Sequence, residues 1–281
     1  GGAAKSFMAR EGAFDGVDAA ITWHPAAFTE VAKARSLANT RMDFRFTGRS
    51  SHAAAAPHLG RSALDAVELM NVGVNYLREH VPDSSRIHYA MLDSGGIAPN
   101  VVQAKSAVRY AIRSRDLKGM LELNERVKQV ALGAAMMTGT TVDISIMSAV
   151  SNLLPNRPLE EAMHRTLERL GPVAFDAEDK AFAAQIQATL SDEDIDNAYL
   201  RIGLPRKDDT PLCDFIVPLD VDGEPMIGST DVGDVSWLMP TVQAHAATIA
   251  IGTPGHSWQV TAQGKTPAAH KGMAHAAKMM A

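Results

Sequence analysis

Residues 41–47, Arg41-Met42-Asp43-Phe44-Arg45-Phe46-Thr47, alternate strictly between polar and apolar side chains. A period of two marks a strand with one wet face and one dry face. Reading on from it, Ser62 is placed to cap a helix whose apolar positions are Ala63, Val67, Met70, Val74 and Leu77. Ile87 to Leu92 and Ala107 to Arg113 read as two further strands, joined through the loop Asp93-Ser94-Gly95-Gly96-Ile97-Ala98-Pro99-Asn100. Asp116 opens a long helix that runs through Met137 and is closed by Gly139. Thr141 to Val150 is a fourth strand, with Val142, Ile144 and Ile146 alternating against Asp143 and Ser145. The order over residues 36–150 is β-α-β-β-α-β, the ferredoxin-like split pattern. One four-stranded sheet with two helices on one face follows, and its uncovered edges suit pairing with a second copy.

The flanking segments carry a different pattern. Val17 to Trp23 reads as a buried strand stopped by Pro25, which places His24 at its C-terminal end. Ligands of open α/β sheets gather at such ends. A short helix precedes this strand, and another runs from about Pro158 to Leu170. Residues 171–210 read as acidic and irregular, with helical pieces. Residues 228–237 and 252–258 read as two Gly-rich loops holding polar groups, and a last helix begins near Pro267. The fold class is therefore α/β, with one domain built from residues 1–35 and 151–281 and the 36–150 module inserted into it. The chain opens at Gly1-Gly2 and runs directly into a helical stretch, and it stops inside another. Both ends read as cuts.

The whole chain has 281 residues, 46% of them hydrophobic and 21% charged, with a net charge of -5. That is ordinary for a globular protein. No basic stripe marks a nucleic-acid partner, and no apolar run is long enough to cross a membrane. The single cysteine, Cys213, reads as a small buried apolar side chain rather than a nucleophile. A cytoplasmic address fits a chain with one thiol.

Ten histidines are present. Three lie in chemically interesting places: His24 before Pro25, His52 in Gly48-Arg49-Ser50-Ser51-His52-Ala53-Ala54, and His256 in a Gly-flanked turn. No HxxxH or HExxH pair exists, so a metal site on one helix is excluded and only a distributed one remains. Asp231 and Asp234 are either a hydrogen-bonded, solvated loop or a pair beside a metal, facing the substrate or supporting the site from behind its ligands. Trp237 reads equally as a pocket wall or as core. Arg113, near a strand end, is either a solvated cap or a fork for a substrate carboxylate.

Four stretches carry a resemblance. They are Ser51-His52-Ala53-Ala54-Ala55-Ala56-Pro57-His58-Leu59-Gly60-Arg61-Ser62-Ala63-Leu64-Asp65-Ala66, Gly95-Gly96-Ile97-Ala98-Pro99-Asn100-Val101-Val102, Ser229-Thr230-Asp231-Val232-Gly233-Asp234-Val235-Ser236-Trp237 and Gly252-Thr253-Pro254-Gly255-His256. Together they resemble the M20 metallopeptidases, and within them the bacterial aminobenzoyl-glutamate hydrolase B-subunit type, over nearly the whole chain. The resemblance implies a metal-dependent amidohydrolase cleaving the amide of an N-acyl or N-aroyl amino acid. It implies a metal-binding α/β domain with an inserted lid that also dimerises, as a homodimer or with a related second subunit. Two divalent ions, zinc or manganese, are implied for each intact site. By position, His24 and His256 look like metal ligands and His52 like the lid histidine that steadies the oxyanion in the partner's site. Asn100 and Arg113 look like substrate-holding residues, Arg113 on the carboxylate.

The departure from the family pattern is at the start. An early His-x-Asp motif, a bridging ligand and a Glu-Glu pair carrying the general base all precede the position of Gly1 in the family. The α/β domain is therefore expected to be partial, and this chain alone to be inactive, because two histidines do not hold a catalytic metal of the usual three-ligand kind. Two rival readings remain. One is a non-catalytic binding or dimerisation subunit. The other is an α/β hydrolase of unrelated mechanism, which the missing Gly-x-Ser-x-Gly elbow argues against.

Overall fold

The structure is a computed structural model and describes residues 3–33, 36–221, 223 and 228–281. Gly1 and Gly2, where the chain opens, and Arg35, at the expected domain boundary, lie outside the described residues. In chain order the elements are α1 (Ala4–Arg10), β1 (Ala20–Ala26), β2 (Glu30–Ala32), β3 (Ala38–Thr47), α2 (Ala63–Leu77), β4 (Arg86–Asp93), β5 (Lys105–Ser114), α3 (Leu117–Thr138) and β6 (Thr141–Val150). They continue with α4 (Arg157–Leu170), α5 (Ala177–Gln187), α6 (Asp192–Ile202), α7 (Val232–Ser236), β7 (Thr241–Ala247), α8 (Trp258–Gln263) and α9 (Pro267–Met280). The chain divides into two compact units. The first holds residues 36–153 together with the described residues up to Ala13 and residues 228–234. The second holds the remainder.

In the first unit, β3, β4, β5 and β6 form one antiparallel sheet in the order β4-β5-β3-β6. The alternation of β3 is realised directly. Met42, Phe44 and Phe46 are fully buried against Val67, Met70 and Val74 of α2 and Leu123, Val127 and Ala131 of α3. The Ser62 hydroxyl accepts from Asp65 N at 3.0 Å and the Asp116 carboxylate from Gly119 N at 2.8 Å, so both helices start on side-chain caps. Gly139 ends α3 at φ 64°, a conformation that suits a residue without Cβ. On the opposite face of β3, the carboxylate of Asp43 is fully buried between Arg109 (2.5 Å) and Arg45 (2.7 Å). The hydrogen bond and charge of Arg109, helped by Arg45, hold the Asp43 carboxyl below the usual carboxylate range although burial pushes the other way.

The second unit departs from the expectations in several places. Its sheet has three strands in the order β1-β7-β2, with β1 parallel and β2 antiparallel to β7. Central β7, Thr241-Val242-Gln243-Ala244-His245-Ala246-Ala247, was not anticipated from sequence. It is buried nearly throughout, so its Ala-rich run shows no alternation to read. The first strand is not buried and does not stop at Pro25. It begins at Ala20 and continues to Ala26, with Pro25 paired to Ala246. Because β1 is an edge strand, a proline without an N–H is tolerated there. Residues 171–210 are more regular than expected, since α5 and α6 each begin with a reciprocal capping box, Asp176 with Asp179 and Ser191 with Asp194. Residues 228–237 likewise contain α7, and 258–263 form α8. Helices α4 and α9 bring Met163, Leu167 and Met279 against Val242 and Ala244 of β7. Gly272 permits the close seat of α9: a Cβ there would stand 2.1 Å from the Ala247 carbonyl oxygen.

Candidate functional site

The candidate residues fall in both units. In the first, His52 sits in the loop after β3, bridged to Val101. Its Nδ1 accepts from the backbone N–H groups of Ala54 (3.2 Å) and Ala55 (3.1 Å). Since Nδ1 is used as an acceptor by two fixed donors, the neutral ring carries its proton on Nε2. The exposed ring thus presents an N–H. Asn100 lies in the facing loop, and its backbone carbonyl oxygen accepts from Ala53 N at 2.9 Å, so the two candidate residues share one pinned loop pair. Arg113 is in β5, half-buried, opposite Asn39 of β3 and Arg86 of β4. Burial, and then the nearby charge of Arg41, disfavour its cationic form.

Asp231 and Asp234 are occupied by local partners. Lys5 donates to Asp231 from Nζ at 2.7 Å and from its backbone N at 3.2 Å. Burial raises the Asp231 carboxyl, but these Lys5 bonds and the Lys5 charge bring it below its usual value. Asp234 accepts from the Ser6 hydroxyl and, at 2.8 Å, from Ser151 N. Together the two carboxylates tie α1 and the end of β6 to residues 228–234. Gly233 is needed for this approach, because a Cβ there would lie 2.1 Å from Ser151 O.

In the second unit, His24 is exposed in β1, with Nδ1 2.8 Å from Pro25 O. A carbonyl only accepts, so Nδ1 carries the proton and the Nε2 lone pair is left outward, the form that binds a metal. Sequence reading missed His245, directly opposite His24 in the parallel register. The two rings meet edge to face at 6.2 Å between centroids. Glu30 accepts from His245 Nδ1 at 2.9 Å, and Gln243 lies 3.3 Å from its Nε2. Only the recognition of β7 as a strand would have placed His245 beside His24. His256 is exposed in the turn before α8 at φ 60°, one of few non-glycine residues in the left-handed region. Trp237 is 49% exposed, so it is not core. Cys213 is buried, donates to Phe215 O at 3.0 Å, and is pushed by burial up to about 11, which removes it as a nucleophile.

Among the described residues, no group of three or more His, Cys, Asp or Glu side chains is placed to hold a metal ion. The residues present therefore do not make a metal centre by themselves. No helix among them is long and apolar enough to cross a membrane.

Comparison with known proteins adds several findings. Residues 35–134 match the family described as the peptidase dimerisation domain, M20_dimer. The B-type polypeptide of the p-aminobenzoyl-glutamate hydrolase of Escherichia coli is 47% identical over the full chain, which spans 60% of that relative's length. Among solved structures, an aminobenzoyl-glutamate utilization protein from Klebsiella pneumoniae superposes with a TM-score of 0.61 at 16% identity, covering 98% of this chain and 57% of that one. A dinuclear metal-binding M20 peptidase from Bacillus subtilis gives a TM-score of 0.53 at 13% identity, over 99% of this chain and 61% of that one.

Proposed function

The chain belongs to the M20 peptidase family, and from that premise we propose that it is the lid-bearing part of a metal-dependent amidohydrolase. The amide cleaved joins an acyl or aryl group to an amino acid such as glutamate, as the name of the Escherichia coli relative suggests. The observation that carries this reading is the tautomer of His52. Two backbone donors fix its Nδ1 as acceptor and leave Nε2–H exposed. A preorganised N–H donor is what a developing oxyanion requires. Asn100, on the paired loop, and Arg113 are read as holding the substrate, Arg113 through its carboxylate.

His24 and His256 are read as two ligands of a divalent-metal centre, zinc or manganese and two ions per intact site. Their remaining ligands and the general base would come from the part of the relative's length that this chain does not match. Dimerisation through the 36–150 module is part of the reading, supported by the family match, with a second copy or a related subunit as partner. So is a cytoplasmic address, supported by the single buried thiol. Asp231, Asp234 and Trp237 are kept as residues supporting the site from behind its ligands.

The test is complementation. In an intact homologue, His52→Ala is expected to lower kcat by about 10²–10³ with little change in KM. Arg113→Gln is expected to raise KM first. Co-expressed His52→Ala and His24→Ala protomers are expected to recover part of the activity in mixed dimers, and verified heterodimers no more active than their parents would refute the in-trans role. A second reading, a non-catalytic dimerisation subunit, is favoured by the absence of a three-ligand group among the described residues. Hydrolysis of an N-aroyl glutamate by the chain alone with added zinc or manganese would eliminate it.

A further inference from the structure

The three-stranded sheet carries a row of three polar side chains, of which only His24 takes part in the hydrolase reading. Trp23, Ala244 and Val31 form the row before it and pack into the cluster with Met163 and Leu167 of α4 and Met279 of α9. Side chains alternate along each strand, so the next row, His24, His245 and Glu30, stands on the opposite face. An imidazole, a second imidazole and a carboxylate are thus set side by side within one compact unit.

The middle ring is pinned at both nitrogens. A carboxylate only accepts, so the 2.9 Å contact with Glu30 puts the His245 proton on Nδ1. The neutral ring then takes the Gln243 amide N–H on Nε2 at 3.3 Å. Glu30 is itself well seated. Its neighbour Thr29 is fully buried, and the Thr29 hydroxyl accepts from Ala247 N at 3.1 Å, which ties the start of β2 to the end of β7. With both nitrogens used, His245 has no lone pair free for a metal. What it presents to His24 is the ring itself.

His24 needs such a neighbour. It is exposed on an edge strand, and its Nδ1–H goes to Pro25 O at 2.8 Å, the carbonyl of the next residue. That bond selects the tautomer but leaves the sideways lean of the ring open. His245 meets that lean at 6.2 Å between centroids and 73° between planes, the edge-to-face arrangement that ring pairs favour. A functional side chain works only when its neighbours hold its rotamer.

We propose that Glu30 and His245 are positioning residues for His24: the carboxylate and Gln243 fix the His245 ring, and that ring holds His24 with Nε2 turned outward. The proposal takes from the hydrolase reading only the metal-ligand role of His24, and the geometry stands without it.

The test reads the rings directly. Long-range proton–nitrogen correlation spectra of the isotope-labelled 281-residue chain, at about pH 8 where imidazole is neutral, report the tautomer of each histidine. Wild type is expected to show His24 and His245 both protonated at Nδ1, with His24 assigned by its loss in His24→Gln. Glu30→Ala and His245→Ala are each expected to shift the His24 nitrogens toward the mixed-tautomer values of a free imidazole. Glu30→Gln keeps an oxygen for His245 Nδ1, and His245→Phe keeps a ring edge, so both are expected to retain the wild-type His24 signals. Residues with a merely structural role would lower stability without moving His24 in the folded protein. Unshifted His24 nitrogens in folded Glu30→Ala and His245→Ala overturn the proposal. The wild-type spectrum needs no variant: a His24 averaged between tautomers there overturns it at once. Zinc affinity, measured by chelator competition on an intact homologue carrying these three residues, is the second readout. His245→Ala is expected to weaken it about tenfold, the lower end of what outer partners of a metal-bound histidine contribute, because the contact is by ring and not by hydrogen bond. If the His24 ring moves and zinc affinity stays, the positioning stands and the ligand role of His24 falls. If affinity falls with the ring unmoved, the proposal falls.

Discussion

In the first unit, one apolar cluster runs from β3 through β4 and β5 to α2 and α3, with Met42, Phe44, Val67, Tyr110 and Val127 all fully buried in it. In the second, the buried apolar residues fall into three separate clusters: around Phe28 and Tyr199, around Leu167 and Val242, and around Ala183 and Leu212. Each smaller cluster draws on segments far apart in sequence, and the one around Ala183 and Leu212 takes no residue from the three-stranded sheet. A continuous core ties every element to every other, so its loss is shared. A divided core lets one patch open while the others hold. The first unit should therefore be the more cooperative and the more resistant to denaturant. All three tryptophans, Trp23, Trp237 and Trp258, lie in the second unit. Tryptophan fluorescence thus reports that unit alone, while far-ultraviolet circular dichroism reports both.

The largest effect should come from the continuous core. Phe44→Ala removes a fully buried ring and is expected to cost about 3–5 kcal/mol. It should lower the dichroism-monitored urea midpoint while leaving the tryptophan midpoint in place. Equal movement of both would show that the units unfold as one and break the comparison. Gly272→Ala tests the other side. Its new methyl meets the Ala247 carbonyl, backbone that cannot step aside cheaply, so a loss near the upper end of overpacking, about 3 kcal/mol, is expected in the tryptophan transition.

Asp43→Asn is expected to cost about 2 kcal/mol in the first unit, less than for a fully enclosed ion pair because both arginines reach solvent. Its pH dependence has a definite sign. A carboxyl held below its usual value of 3.8 by Arg109 stabilises the folded state above that pH. The contribution fades as pH falls from 3.8 through the lower folded value. The wild-type advantage over Asp43→Asn should therefore be full near neutrality and shrink in that acid window. An advantage that persists unchanged below it would count against the ion pair. The smallest effect is reserved for the surface: Lys128→Ala breaks an exposed pair with Glu125 and should change stability by under about 0.5 kcal/mol in either transition.

The same contrast governs what could be read from the residues. β3 was legible because it has one dry face, so burial writes itself as alternation; in β6 only Val142 and Ile144 pack against the core, and Ile146 is exposed beyond a register shift. Helices α2 and α3 were legible because Ser62, Asp116 and Gly139 mark their ends locally. β7 was illegible because it is itself rich in small residues and buried nearly throughout, and a strand without a wet face has no period of two. His245 was lost with it, since only the register against β1 sets it beside His24. The stop assigned at Pro25 failed for a related reason: whether a proline ends a strand depends on whether a neighbour needs its N–H, which is a property of the sheet. The capping boxes of α5 and α6 were present in the sequence but carry Asp where Glu or Gln is the usual third partner. Of the candidate site, the loops around His52 and Asn100 were singled out by motif, and the structure sets them side by side. The bonds that fix the His52 tautomer depend on how the backbone turns at Ala54 and Ala55, which composition does not reveal.

One detail of the sheet bears on history rather than chemistry. Asn39 and Val150 are cross-strand partners, so the segment between them leaves and re-enters the rest of the chain at a single doorway. To the rest of the chain, more than a hundred residues present the footprint of a hairpin turn. A gene that gained or lost such a cassette would need only two neighbouring splice points and no rearrangement of strands. Recombination can therefore exchange residues 39–150 as a whole, moving His52, Asn100 and Arg113 together in one event.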